Sequence, residues 1–163
     1  MKIKVITYFF LFSISLCSCF PSYNASNKEY RRIKPDFQKQ KAFVINKELK
    51  REYTILKHSD IYEIVDDSMD VAKIKLYELV PDQSFQCGNL MAGSMLTLGL
   101  LPSVYRTKDT FNYDVSENNT VKNYQFKLEV NQSLWLFNIF RLSKTYNKQA
   151  GKALLGSYMA SNK

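Results

Sequence analysis

At 163 residues, with a formal net charge of +8, one histidine and three cysteines, the chain is sized for one domain with a modest core. It is poor in the groups that chemistry needs: a lone histidine and so few cysteines cannot supply the three or four ligands of a zinc site without carboxylates. Despite the basic balance, nothing resembles a nucleic-acid-binding motif, and no internal repeat is visible.

Lys2 and Lys4 precede an uncharged apolar run from Val5 to Leu16, which ends at Leu16-Cys17-Ser18-Cys19. A positive start, a short apolar stretch and small residues at the cut are the features of an export signal. The run is shorter than the 17–25 apolar residues of a membrane anchor. The Leu-Cys-Ser-Cys ending resembles the lipobox of bacterial lipoproteins, with Leu16, Ser18 and Cys19 at the matching positions and Cys17 a mild departure. The resemblance implies that residues 1–18 are a signal peptide, that Cys19 receives the lipid, and that the mature protein is tethered to a membrane through its acyl chains. In that family an aspartate after the cysteine favours the inner membrane; here Phe20 stands there, which implies the outer membrane. A plain cleaved signal on a secreted protein is the competing reading. Under it, the acceptor patterns at Asn24, Asn118 and Asn131 become relevant.

Maturation removes Cys17 and consumes Cys19, which leaves Cys87 without a partner for an intramolecular disulfide. Cys87 lies beside an apolar stretch and reads as a buried, inert thiol.

From Phe20 to about Gln40 the residues are polar and basic with little apolar periodicity, so residues 19–41 read as a lipidated, flexible tether. The mature chain carries its net charge here. Between Lys28 and Lys57 there are ten basic residues against four acids, whereas from His58 onward eleven of each are present. Lys28, Arg31, Arg32, Lys34, Lys39 and Lys41 are the candidate contacts to anionic lipid headgroups, each worth about 1 kcal/mol close to the surface. A solvated linker is the alternative. The acids Asp60, Glu63, Asp66, Asp67 and Asp70 follow without an intervening base and lack the glycine and spacing of a calcium loop. They read as a solvated face, or as the partner of the basic segment upstream.

A single domain is expected over residues 42–163. Ala42 to Ile45 and Tyr53 to Leu56 are short apolar groups that suit strands or the flanks of a helix over 46–52. Asp60 and Glu63 have capping-box spacing, which predicts a helical turn or two over 60–67. Ala72, Ile74 and Leu76 alternate with lysines as in a half-buried strand. Residues 83–105 contain no charge. Phe111, Tyr113 and Val115, a turn signal at 116–119, and then Tyr124, Phe126, Leu128 and Val130 predict a β-hairpin with an aromatic inner face. Leu142, Tyr146, Ala150, Leu154 and Tyr158 recur at i+4 and predict an amphipathic C-terminal helix, with Gly151 and Gly156 as weak points. The expected class is therefore α+β: a small antiparallel sheet, an aromatic hairpin and a C-terminal helix behind the tether.

The run Thr97-Leu98-Gly99-Leu100-Leu101-Pro102, a lone cysteine upstream and an aromatic hairpin downstream are similar to a scattered group of small bacterial lipoproteins without an assigned activity. That resemblance implies a compact periplasm-facing domain and carries over no catalytic residue.

The apolar segments Leu90 to Leu101 and Leu134 to Phe140, the latter holding the only tryptophan, are read as core or as surfaces resting in a lipid interface. Catalytic signals are weak. Cys87 and His58 lack the surroundings of a thiolate dyad, and Ser94 lacks the Gly-x-Ser-x-Gly elbow. The expected role is non-enzymatic: an envelope accessory or interaction protein with no cofactor, a membrane contact and an envelope protein partner. A module binding a small apolar ligand is the alternative.

Overall fold

The structure, a computed structural model, describes residues 20–82, 97, 101–118, 120–141 and 143–162. Its frame is the expected hairpin, longer than the sequence suggested. Strands β6 (Ser103–Glu117) and β7 (Thr120–Trp135) pair in continuous antiparallel register from Ser103↔Leu134 to Glu117↔Thr120. Alternation explains the pairing. Phe111, Tyr113 and Val115 on one strand and Phe126, Leu128 and Val130 on the other are buried on one face, and a slip of either strand by one residue would turn its three to the opposite face. Asn118 closes the turn at a φ of 47°, a left-handed conformation that asparagine tolerates better than most residues.

The other strands attach to this frame: β1 (Phe20–Ala25), β2 (Gln40–Val44), β3 (Tyr62–Ile64), β4 (Ala72–Leu76) and the short β5 (Val80–Pro81). The sheet order is β1-β7-β6-β4-β2-β3, with β5 pairing β6 off this path. The sheet is mixed, which corrects the small antiparallel sheet expected from sequence. β4, β6, β7 and β1 are antiparallel neighbours, but β2 runs parallel to both β3 and β4. Parallel neighbours require a crossover, and helix α1 (Lys50–Ser59) supplies it between β2 and β3.

Helix α1 lies outside the helical turns expected over 60–67. Its buried stripe is Glu52, Ile55, Leu56 and Ser59, helical in spacing but half polar in composition, so apolar periodicity does not reveal it. Glu52 is accommodated by accepting the Leu79 N–H at 3.0 Å. Asp60 is the cap rather than the start, left-handed at φ 61°. The apolar residues that follow it, Ile61 and Tyr62, enter the core through the approach to β3 and β3 itself.

Helix α2 (Tyr146–Ser161) carries the expected i+4 positions from Tyr146 to Tyr158, Leu142 lying outside the described residues, and buries Gln149, Ala150, Gly151, Ala153, Leu154, Leu155 and Gly156. Its two glycines are contact points. A Cβ on Gly151 would stand 2.7 Å from the His58 carbonyl carbon and 2.8 Å from the Ser59 nitrogen, and one on Gly156 would stand 2.3 Å from the Tyr30 ring. Gly151 thus lets α1 and α2 touch backbone to backbone.

Tyr146 ties four elements together. Its hydroxyl donates to Asp109 on β6, the Arg51 guanidinium of α1 lies 4.7 Å over its ring, and Tyr23 of β1 meets it edge-on at 5.8 Å. Burial, reinforced by the Asp109 carboxylate, raises the Tyr146 pKa above its ordinary value near 10.

Two outcomes follow from these contacts. At a solvent-exposed helix site Gly→Ala stabilises by about 1 kcal/mol, but Gly151→Ala should destabilise by roughly 1–3 kcal/mol, because overpacking between two backbones dominates; urea unfolding measures the sign. The raised Tyr146 pKa contributes stability that is complete below about pH 10 and is lost as pH rises through the folded-state value. Unfolding free energy should therefore fall above that pH, and less steeply in Tyr146→Phe.

Candidate functional site

The start of β1, the start of β6 and the end of β7 meet at one end of the sheet. β1 is an edge strand of β7, paired from Phe20↔Trp135 to Ala25↔Val130. Phe20, the residue after Cys19, is therefore already in the sheet. This corrects the expected flexible tether over 19–41, since its described part contains β1, a 3-10 turn at Glu29–Arg31 and the start of β2.

The segment's polar composition conceals how it is held. The free edge of β1 is covered by the approach to α2 and by α2 itself. The Tyr23 N–H donates to the Lys144 carbonyl at 3.1 Å and the Ala25 N–H to Gln149 Oε1 at 3.3 Å, while Lys144 Nζ reaches Asn24 Oδ1 at 3.2 Å. Arg31 Nε donates to the Ala25 carbonyl at 2.8 Å, and Lys152 Nζ to the Arg31 carbonyl at 2.7 Å. Partners about 120 residues away thus satisfy backbone groups that the local sequence leaves open.

At the same end β6 begins and β7 finishes, with Ser103 opposite Leu134. β7 continues into a 3-10 helix, Leu136–Arg141, held by Asn138 Nδ2 donating to the Ser133 carbonyl at 2.8 Å. Around it the surface is apolar: Phe140 is 84% exposed, Leu101 57%, Phe137 50% and Val104 49%. Trp135 is half-buried and meets Phe137 edge-on at 5.0 Å. The segment Leu134 to Phe140 is therefore divided, with Leu134 and Asn138 buried and Phe137 and Phe140 facing out.

The six basic candidates are not gathered near this end. Lys28, Arg32, Lys34 and Lys41 are exposed, Arg31 is bonded to β1 as described, and Lys39 pairs with Asp60 at 2.5 Å. Lys41 lies in β2, whose register through β4 places it near Ser116 and the hairpin tip. That is on the order of 40 Å along β6 from Ser103 at about 3.3 Å per residue.

The acidic run meets the basic segment upstream through Lys39 to Asp60 and through Lys47 to Asp66 at 2.7 Å. The Lys47 hydrogen bond lowers the Asp66 pKa and raises its own. Among the described residues no group of three or more histidine, cysteine, aspartate or glutamate side chains is placed to hold a metal, and no helix is long and apolar enough to cross a membrane. His58 is exposed in the last turn of α1. Cys87, Ser94, Cys19 and most of Leu90 to Leu101 lie outside the described residues, so the thiol pairing does too. An open cleft of about 420 Å³, lined by Asp36, Phe37, Gln38, Tyr158, Met159 and Asn162, lies beside the C-terminal end of α2.

No protein-family model matches the chain, and no curated protein matches it. Among the solved structures to which the chain is similar are two lipoproteins. A minor lipoprotein from Acinetobacter baumannii matches at 9% identity and a TM-score of 0.36, over 76% of this chain and 94% of that one. The rare lipoprotein B from Shewanella oneidensis matches at 16% identity and a TM-score of 0.36, over 77% of this chain and 96% of that one. Likenesses so distant leave the function to be argued from this chain's own residues.

The locked edge gives a direct test. Gln149→Leu leaves the buried Ala25 N–H without its acceptor and should cost about 1–3 kcal/mol. Hydrogen exchange of the unmutated protein should show the Tyr23 and Ala25 amides protected, and the variant should lose that protection at Ala25.

Proposed function

We propose that this is a bacterial lipoprotein, matured to Cys19 and anchored by its acyl chains in the cell envelope. Its folded domain serves as a non-enzymatic accessory or interaction partner at the membrane surface. One observation carries the reading: the Leu16-Cys17-Ser18-Cys19 ending of a positively started apolar run, which has the layout of an export signal with the lipid-accepting cysteine at its cut. Two or more acyl chains give stable anchoring, at about 0.8 kcal/mol per buried methylene. Phe20 in place of an aspartate favours the outer membrane. The non-enzymatic role is supported by the scarcity of bases and nucleophiles and by the exposure of the single histidine at a helix end.

Intact mass and membrane partitioning of the expressed protein beside Cys19→Ala test this. The expected result is a mature chain beginning at Cys19, heavier by its acyl groups and recovered with membranes, with both properties abolished in the variant. A soluble product without lipid from the unmutated gene would overturn it.

A further inference from the structure

We infer that the anchor end of the sheet is itself a membrane-inserting rim: Trp135, Phe137, Phe140, Leu101 and Val104 rest in the interfacial layer of the same leaflet that holds the Cys19 lipid. This rests on the lipid-anchor reading and adds to it an orientation and a second attachment.

Chain length carries the first step. Cys19 is bonded to Phe20, and Phe20 pairs with Trp135, so no linker separates the acylated residue from the sheet. Consecutive Cα atoms are about 3.8 Å apart and neighbouring strands about 4.8 Å. The end of β7 is therefore within roughly 10 Å of the lipidated residue, the depth to which interfacial apolar faces sink, and the start of β6 lies one strand spacing, about 4.8 Å, further on.

The second step is the chemistry of what is brought there. Four large apolar side chains are about half exposed or more, where a surface remote from any partner would leave such residues scattered singly. Phe137 and Phe140 are three apart in a 3-10 helix, a spacing that eclipses side chains and points them the same way. Tryptophan is the residue most at home at a bilayer interface. Charge agrees: between Leu134 and Thr145 the charged residues are Arg141 and Lys144, with no acid among them, while Arg106, two positions after Val104, pairs with Glu129 at 3.5 Å. Apolar tips bordered by arginine and lysine suit a leaflet with anionic headgroups. Lys41 then sits at the hairpin-tip end, several Debye lengths from the surface.

Trp135 is the only tryptophan, so its fluorescence reports this rim alone. The test uses the mature lipidated protein, its acylation verified by intact mass, in phosphatidylethanolamine and phosphatidylglycerol vesicles whose acyl chains are brominated. Quenching of Trp135 is expected. Phe140→Asp, a substitution at an exposed site, should shift the inserted-to-withdrawn ratio by roughly tenfold or more, the effect of withdrawing one large apolar side chain. Paired charge reversals at Lys34 and Lys41 should leave the quenching unchanged. A lipidated protein whose Trp135 is not quenched, or whose quenching depends on Lys34 and Lys41 rather than Phe140, would overturn the rim while leaving the anchor intact. A mature chain without lipid would overturn the anchor and the rim together.

Discussion

The β6–β7 register is the constraint on which the molecule depends. A hairpin this long brings together residues that the sequence holds far apart, and it admits only one alignment, because the buried aromatic and aliphatic side chains alternate on both strands. Burial of each large apolar side chain contributes about 1.5–3 kcal/mol, so the register is fixed many times over. β1 and β4 then dock on its two edges, β5 pairs β6 along the way, and the helices cover the face that carries Phe111, Tyr113, Phe126 and Leu128.

That hairpin also separates two chemistries. At its turn end lie β2, β3 and β4 with the pairs Lys39 to Asp60 and Lys47 to Asp66. These pairs are exposed, and each contributes little to stability in water. At its open end lie Phe20 at the start of β1, the 3-10 helix and the exposed phenylalanines. The basic segment is joined to the acidic run by intramolecular pairing, so the charge asymmetry visible in the sequence is partly neutralised within the fold.

What could be read from the chain divides along physical lines. The hairpin, β4 and α2 were legible, because in each of them burial follows a period of two or four in apolar residues. Helix α1 was not, because its inward positions include Glu52 and Ser59, whose polar atoms are satisfied by the Leu79 N–H and the Leu56 carbonyl. Strand β1 was less legible still. Pro21, Ser22 and Asn24 form a poor strand on local preference, and their partners in β7 and α2 lie more than a hundred residues further on. The proposed lipid acceptor, Cys19, rests on a local sequence signal alone and lies outside the described residues. The exposed rim was not, because Leu134 to Phe140 looks equally apolar throughout, and only the turn from β7 into a 3-10 helix separates Leu134, which is buried, from Phe137 and Phe140, which are not.

The loss of the tether changes what an anchor can do. A lipid on a flexible leash leaves its domain free to tumble and to meet partners in any orientation within reach. With Phe20 already paired to Trp135 and the Tyr23 and Ala25 amides bonded to Lys144 and Gln149, tumbling would require peeling β1 from β7. That costs its ladder hydrogen bonds and exposes Ala25, which is fully buried. A lipid at Cys19, as proposed, would therefore fix the domain's tilt as well as its position, with the hairpin turn pointing away from the leaflet. In the proposed orientation, whatever approaches from the aqueous side meets the turn end first: Asn118, the β2–β3–β4 strands and the acids around Asp66. On the proposed anchoring, the end lined with phenylalanine is left to the membrane.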